Sequence, residues 1–209
     1  APIPDPRCPE RIDYSLHDTL MSGFALMFFQ YPNLLEFQRK MKQRRHQCNL
    51  ETIFGVREVP SDTQMRDILD GVPVELIRPL FPALFEKIRR AGWAKEFTTT
   101  LSRGADQGTY YTLMLDGSDY FHSTRLQCPS CLQRQDSSGA VHFRHTVVSG
   151  TLVKAGSHRV LPLDVEEVRN EDGQDKQDCE ITAAKRLIPR LRHEHPQLAL
   201  IIGGDDLYC

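Results

Sequence analysis

The segment LALIIGG (198–204) is apolar without a break, and a helix-patterned stretch, Gln177–His195, leads into it. A strand with no polar alternation is buried on both faces. A helical crossover into such a strand makes it parallel to a neighbour, so the chain must build a sheet with at least one parallel pair. Asp205 closes this run, and Asp116 closes a second one, YYTLML (110–115). An acid at the C-terminal end of a buried strand is costly unless it is paired, protonated or bound to a metal. If the two strands are neighbours, the two carboxylates converge and supply the hard oxygen ligands that Mg²⁺ or Mn²⁺ prefers. The plainer readings are a turn at Asp116–Gly117, since Asp-Gly opens hairpins, and a solvated strand end at Asp205–Asp206.

The remaining periodicity divides the chain near residue 100. Before it, the pattern is helical. Residues 1–10 are Pro-rich and read as an extended arm, and 13–31 as a helix with Leu16, Leu20, Phe24, Met27 and Phe28 inward. Asn33 caps a second helix through His46, with Leu34, Leu35, Phe37 and Met41 inward. Ser61 and Gln64 form a capping box, and a helix over about 74–91 is bent or restarted by Pro79 and Pro82 and stopped by Gly92. After residue 100, Tyr110–Leu115 reads as a strand, Ala140–Val153 alternates and is β-branched, as one long strand or two short ones, and His158–Val165 is another strand. With the helix 177–195, in which Pro189 marks a kink, and the last strand, the order is β-β-β-α-β.

With 209 residues, 40% of them apolar, the chain can bury a core, and its formal net charge of −2 gives no global attraction to nucleic acid or to a membrane surface. Any basic surface is local. The densest basic run, Arg39, Lys40, Lys42, Arg44 and Arg45, falls on the second helix and suits phosphate contacts, or simply a solvated face. No stretch is apolar for long enough to span a bilayer, and the first residues lack the pattern of a signal peptide. Six cysteines without a regular framework read as reduced thiols in a cytosolic setting. Cys128 and Cys131 form a CxxC, half of a Zn²⁺ site, for which His122, His142, His145 and Cys179 are available partners; a reduced loop pair is the plainer reading. Both ends of the chain look cut or processed.

Several motifs, taken in order, carry a resemblance: LDGSDYF (115–121), CPSCL (128–132), KQDCE (176–180) with AAKRL (183–187), and GDDLY (204–208), preceded by SDTQMRDILD (61–70). From about residue 35 onward the chain resembles insertion-sequence transposases of the DDE type. The resemblance implies an α+β or α/β fold. Residues 1–100 would be a helical DNA-binding region, and 101–209 a ribonuclease-H-like mixed sheet with flanking helices that lacks its C-terminal part. Asp116 would be the first acid and Asp205, with Asp206 as the alternative, the second. The third, a Glu, would lie beyond residue 209.

On that reading the substrate is the terminal-repeat DNA of a mobile element. The reaction is metal-dependent phosphodiester hydrolysis and strand transfer, with two Mg²⁺ or Mn²⁺ ions in the complete enzyme. The protein would be cytoplasmic and associated with the nucleoid, and an oligomer when complete. Lys185 and Arg186 would be solvated or face phosphate, and Glu180 would orient the metal site. Without the third acid, the chain by itself is expected to be inactive as a nuclease and poorly soluble. Two other readings stand beside this one: a catalytically dead remnant that binds DNA or the full-length transposase, and a zinc-stabilised interaction module.

Overall fold

The computed structural model describes residues 3–5, 7, 8, 10, 12–103, 106–172 and 176–205, without the side chains of 44, 45, 103, 106 and 176–178. The chain divides into two compact units, Ala1–Ile77 and Arg78–Cys209. Among the described residues no helix is long and apolar enough to cross a membrane.

The first unit holds α1 (Leu16–Phe28), α2 (Leu34–Met41), α3 (Arg44–Phe54), α4 (Asp62–Asp70) and α5 (Val74–Ile77). Its helix starts follow the sequence. Ser15 and Asn33 accept from the amides of Asp18 and Glu36, and Ser61 and Gln64 close the expected capping box. The helix expected over 33–46 is instead two helices, broken after Met41. Phase gives the reason. Leu50 lies nine residues beyond Met41, so one straight helix would turn it about 180° away from Met41. Breaking the helix lets Phe37, Met41, Leu50 and Phe54 share one core with Ala25, Leu26, Val56 and Met65.

The inward face of α1 also differs from expectation. Leu16, Asp18, Thr19, Ser22, Ala25 and Leu26 are buried, whereas Phe24, Met27 and Phe28 are exposed. Small residues let neighbouring helices come close: a Cβ on Gly23 would stand 3.3 Å from Leu69 Cδ1. The displaced rings pack on one another instead, with Phe24, Phe28 and Phe29 each within 6.1 Å of the Phe54 ring, measured between centroids.

The second unit is α+β. It contains α6 (Leu80–Arg90), β1 (Thr98–Arg103), β2 (Asp106–Ser123), β3 (Leu132–Gln135), β4 (Val141–Val153), β5 (Leu161–Glu167), α7 (Lys176–Glu194) and β6 (Leu200–Gly203). Helix α6 therefore goes with the sheet rather than with the N-terminal helices, and its Phe85 lies in the sheet's core. The six strands form one sheet in which β2 pairs with β1, β4 and β6, and β4 also pairs with β3 and β5. All pairings are antiparallel except β2 with β6, which run parallel from Tyr111↔Leu200 to Met114↔Gly203. The expected β-β-β-α-β order is present as β2-β4-β5-α7-β6. Strands β1 and β3 are additions that the sequence reading passed over. One sheet face is covered by α7, whose Ala183, Ala184, Leu187 and Leu191 meet Leu113, Leu115, Val148, Leu152 and Leu163. Helix α7 runs through Pro189.

Beside this apolar contact lies a buried ion cluster. Asp164 and Glu166 point inward from β5, each almost wholly buried. Arg190 Nε donates to Asp164 Oδ2 at 2.5 Å and its Nη1 to Glu166 Oε2 at 2.7 Å. Arg186 Nε donates to Glu166 Oε1 at 2.8 Å, and Arg78 Nη1 to Glu166 Oε2 at 3.0 Å. Arg186 also donates to both carboxylate oxygens of Asp172 and to the Glu167 carbonyl. Burial pushes the Glu166 carboxyl up, but hydrogen bonds from Arg186, Arg190 and Arg78 together outweigh it and bring the pKa down to about 2.

Two outcomes follow from this cluster. Glu166→Ala leaves three guanidinium groups without their shared counter-charge and should cost about 3–5 kcal/mol in urea unfolding; a loss below about 1 kcal/mol would contradict the arrangement. The folded-state pKa of Glu166 lies below its ordinary value of 4.5, so between them the unfolded state binds more protons. The glutamate's contribution should be complete above about pH 4.5 and fade as pH falls toward about 2. Unfolding midpoints measured from pH 6 to pH 2 should show that decline in the wild type and a shallower one in Glu166→Gln.

Candidate functional site

Asp116 lies within β2, paired with Ser149 of β4, so the strand continues through Asp116–Gly117 and makes no turn there. Alternation sets its direction. Leu113 and Leu115 are buried under α7, which turns Asp116 to the other face, where it is exposed. Ser149 Oγ donates to its carbonyl at 3.3 Å, and Ser118 Oγ reaches its Oδ2 at 3.5 Å. The parallel ladder of β2 with β6 ends at Met114↔Gly203. Two residues further on come Asp116, still within β2, and Asp205, two residues beyond the end of β6, both exposed. Asp206 and Tyr208 lie outside the described residues.

Glu180 enters from the covered face. It sits in the first turns of α7 and is 2% exposed. A Cβ at Gly117 would collide with its carboxylate group. Glu180 thus presses on the β2 backbone at the residue after Asp116, from the side opposite the Asp116 carboxylate. Gly117 is the residue the sequence reading missed. Its only signal there was Asp-Gly, which suggests a turn, whereas the glycine makes room for a carboxylate.

The proposed phosphate contacts separate. Arg39, Lys40 and Lys42 are exposed at the end of α2, and Lys185 is exposed on α7. Arg44 and Arg45 begin α3 rather than continue α2, and their side chains are outside the description. Arg186 is half-buried, and its guanidinium is engaged with Glu166, Asp172 and the Glu167 carbonyl in the ion cluster. The acidic stretch around 170 contributes to that cluster through the buried Asp172.

A second constellation lies at the far end of β2. Cys128 and Cys131, in the loop between β2 and β3, meet His145 of β4, and the three form a cluster that can hold a metal ion. The two sulfurs are 3.6 Å apart, and His145 Nε2 lies 3.3 Å from Cys128 Sγ and 3.4 Å from Cys131 Sγ. Burial pushes the Cys131 thiol up, against a hydrogen bond from the Cys128 amide that lowers it. Of the partners the sequence offered, His145 alone joins. His122 Nε2 and His142 Nδ1 lie 2.9 Å apart, with Asp136 Oδ2 2.9 Å from His142 Nε2, a chain of its own. Cys179 is buried in the core of the sheet unit.

No protein-family model matches the chain, and comparison with curated proteins and with solved structures finds no match.

The contact between Gly117 and Glu180 is testable by a double-mutant cycle. Gly117→Ala should destabilise the fold by about 1–3 kcal/mol, because the added methyl displaces a buried carboxylate. In a Glu180→Ala background the same change should be close to neutral. Equal costs in both backgrounds, read from urea unfolding, would remove the contact.

Proposed function

We propose that this chain is a DNA-binding part of a DDE-type transposase, in which Asp116 and Asp205 form the carboxylate pair of a divalent-metal site. One observation carries the reading: a parallel pair, β2 with β6, whose last rung, Met114↔Gly203, is followed two residues later by Asp116 in one segment and by Asp205 in the other. The connectivity supports it. Three antiparallel strands ordered β5-β4-β2, then a helical crossover to β6 on the other side of β2, is the plan expected of a ribonuclease-H-like domain. Of the sequence motifs, 115–121 falls on β2 and 176–187 on α7, and 204–208 follows β6 in the sequence, which supports the reading.

The donor chemistry fits the ion. Asp116 is an exposed carboxylate on a strand anchored by Leu113 and Leu115, so a hydrated Mg²⁺ or Mn²⁺ can reach a hard oxygen ligand without first being fully dehydrated. When bound, such an ion lowers the pKa of a coordinated water and stabilises charge on a phosphate oxygen. The chain's own residues orient and hold. Leu113 and Leu115 fix the direction of Asp116, Ser149 holds its backbone carbonyl, and Glu180 braces the strand from behind at Gly117. Arg39, Lys40 and Lys42, exposed on α2, supply local positive charge for duplex phosphates on a chain whose net charge is −2. Lys185, exposed on α7, is a further cation of that motif.

Two measurements test the reading. Mn²⁺ binding followed by electron paramagnetic resonance should weaken by about tenfold or more in Asp116→Asn and in Asp205→Asn, and should be unchanged in Asp136→Asn; binding insensitive to both strand-end variants would end the metal assignment. Duplex DNA affinity, read by fluorescence anisotropy, should fall steeply with salt. Arg39→Ala and Lys40→Ala should each lower the slope of log affinity against log salt by about one. An affinity that does not respond to salt would end the DNA assignment.

A further inference from the structure

We propose that Cys128, Cys131 and His145 bind one Zn²⁺ ion that staples the loop 124–131 to β4 and leaves its fourth coordination position to solvent. The site is separate from the strand-end carboxylates, and its evidence is independent of them.

The distances are those of one face of a zinc tetrahedron. With Zn–S near 2.3 Å and Zn–N near 2.0–2.1 Å, tetrahedral angles place two sulfurs about 3.8 Å apart and each sulfur about 3.5–3.6 Å from the nitrogen. The observed edges are 3.6, 3.3 and 3.4 Å. Two thiolates and an imidazole are soft donors, which favour zinc over the hard cations suited to Asp116 and Asp205. The ligands are also pre-aimed. His145 is held in β4, and the Tyr120 ring stacks on its imidazole with centroids 5.6 Å apart and planes 24° from parallel. Cys131 is buried beside Leu132, which anchors β3 in the core. Among the described residues no fourth His, Cys, Asp or Glu joins the three, so water takes the remaining position.

The loop itself explains why a metal is needed there. Residues 124–130 are all exposed, so apolar burial does not hold them. Among the described residues their hydrogen bonds are few: Ser123 Oγ accepts from the amides of Arg125 and Leu126, the Cys128 amide donates to Cys131 Sγ, the Cys131 amide donates to the Cys128 carbonyl, and Asn170 Nδ2 reaches the Pro129 carbonyl at 3.3 Å. A metal bond at Cys128 closes the loop onto β4. His145 and Ser149 are both odd-numbered residues of β4 whose even-numbered neighbours face α7. The ion therefore lies on the same sheet face as Asp116, at roughly 13 Å along the strand, and the stapled loop borders that face.

The whole chain, expressed with zinc and freed of loosely held metal, should contain about one zinc by inductively coupled plasma mass spectrometry. Cys128→Ser and His145→Ala should contain less than about a tenth of that, and Cys48→Ser should be unchanged. Cobalt exchanged into the wild-type chain should give the intense visible bands of a tetrahedral site and a thiolate charge-transfer band, a readout that needs no variant. Trypsin should cut after Arg125 at least about tenfold faster once the metal is chelated, because loop opening then becomes easier. The proposal is overturned if the wild type holds no zinc and purifies with a Cys128–Cys131 disulfide, if Cys48→Ser loses as much metal as Cys128→Ser, or if chelation leaves cleavage after Arg125 unchanged.

Discussion

The antiparallel ladder between β2 and β4 is the constraint on which the sheet unit depends. Strand β2 is shared with β1, β4 and β6, and β4 with β3 and β5, so every other strand is placed by reference to this pair. Its register is set by burial. Leu113 and Leu115 on β2, and Thr146, Val148, Gly150 and Leu152 on β4, face α7. A slip of one residue would send Leu113 to solvent and Asp116 into the core, so the apolar pattern rules it out. Asp116 and His145 both point away from α7 for this reason. The two candidate sites owe their common face to hydrophobic residues that touch neither of them.

Helix α7 is fixed about its own axis by two kinds of contact. Leu187 and Leu191 sit over the sheet, while Arg186 and Arg190, one turn apart, meet the acids of β5. Buried ion pairs add little net stability compared with apolar packing, but removing one partner is costly. The cluster therefore acts against rotation of the helix more than against unfolding. The same orientation brings Glu180 onto Gly117. A carboxylate beneath the Asp116 segment is thus tied, through one rigid helix, to an ion cluster some distance along the chain.

The elements that were legible in the sequence were those written in periodicity. The capping box at Ser61, the strand over 141–153, helix α7 and the parallel last strand all carry local patterns strong enough to read. β1 (TTTLSR) and β3 (LQRQ) are short and mostly polar, and owe their existence to pairing with β2 and β4. The inward face of α1 was misjudged because large apolar residues were expected inside, whereas close helix packing selected Thr19, Ser22 and Ala25. Arg186 read as a surface cation because Asp172 and Glu166 come to it from outside its helix. For the thiol cluster, the CxxC spacing was visible, but what separates His145 from His122 and His142 is the strand and the sheet face each one occupies, with His122 on β2 and the other two on opposite faces of β4.

The parallel pairing of β6 carries a consequence for assembly. Tyr111 and Leu200, partners in the ladder, are separated by roughly ninety residues, and closing a segment that long is entropically unfavourable before other contacts exist. The pairing of β4 with β5 spans far less chain, and α7 follows directly after them. Once α7 is packed, only the short turn after it separates β6 from its docked position, so the remaining closure is local. The entropic cost of closing so long a segment is therefore carried by the sheet and helix core. Docking β6 against β2 then adds a strand to a sheet whose other pairings are already in place.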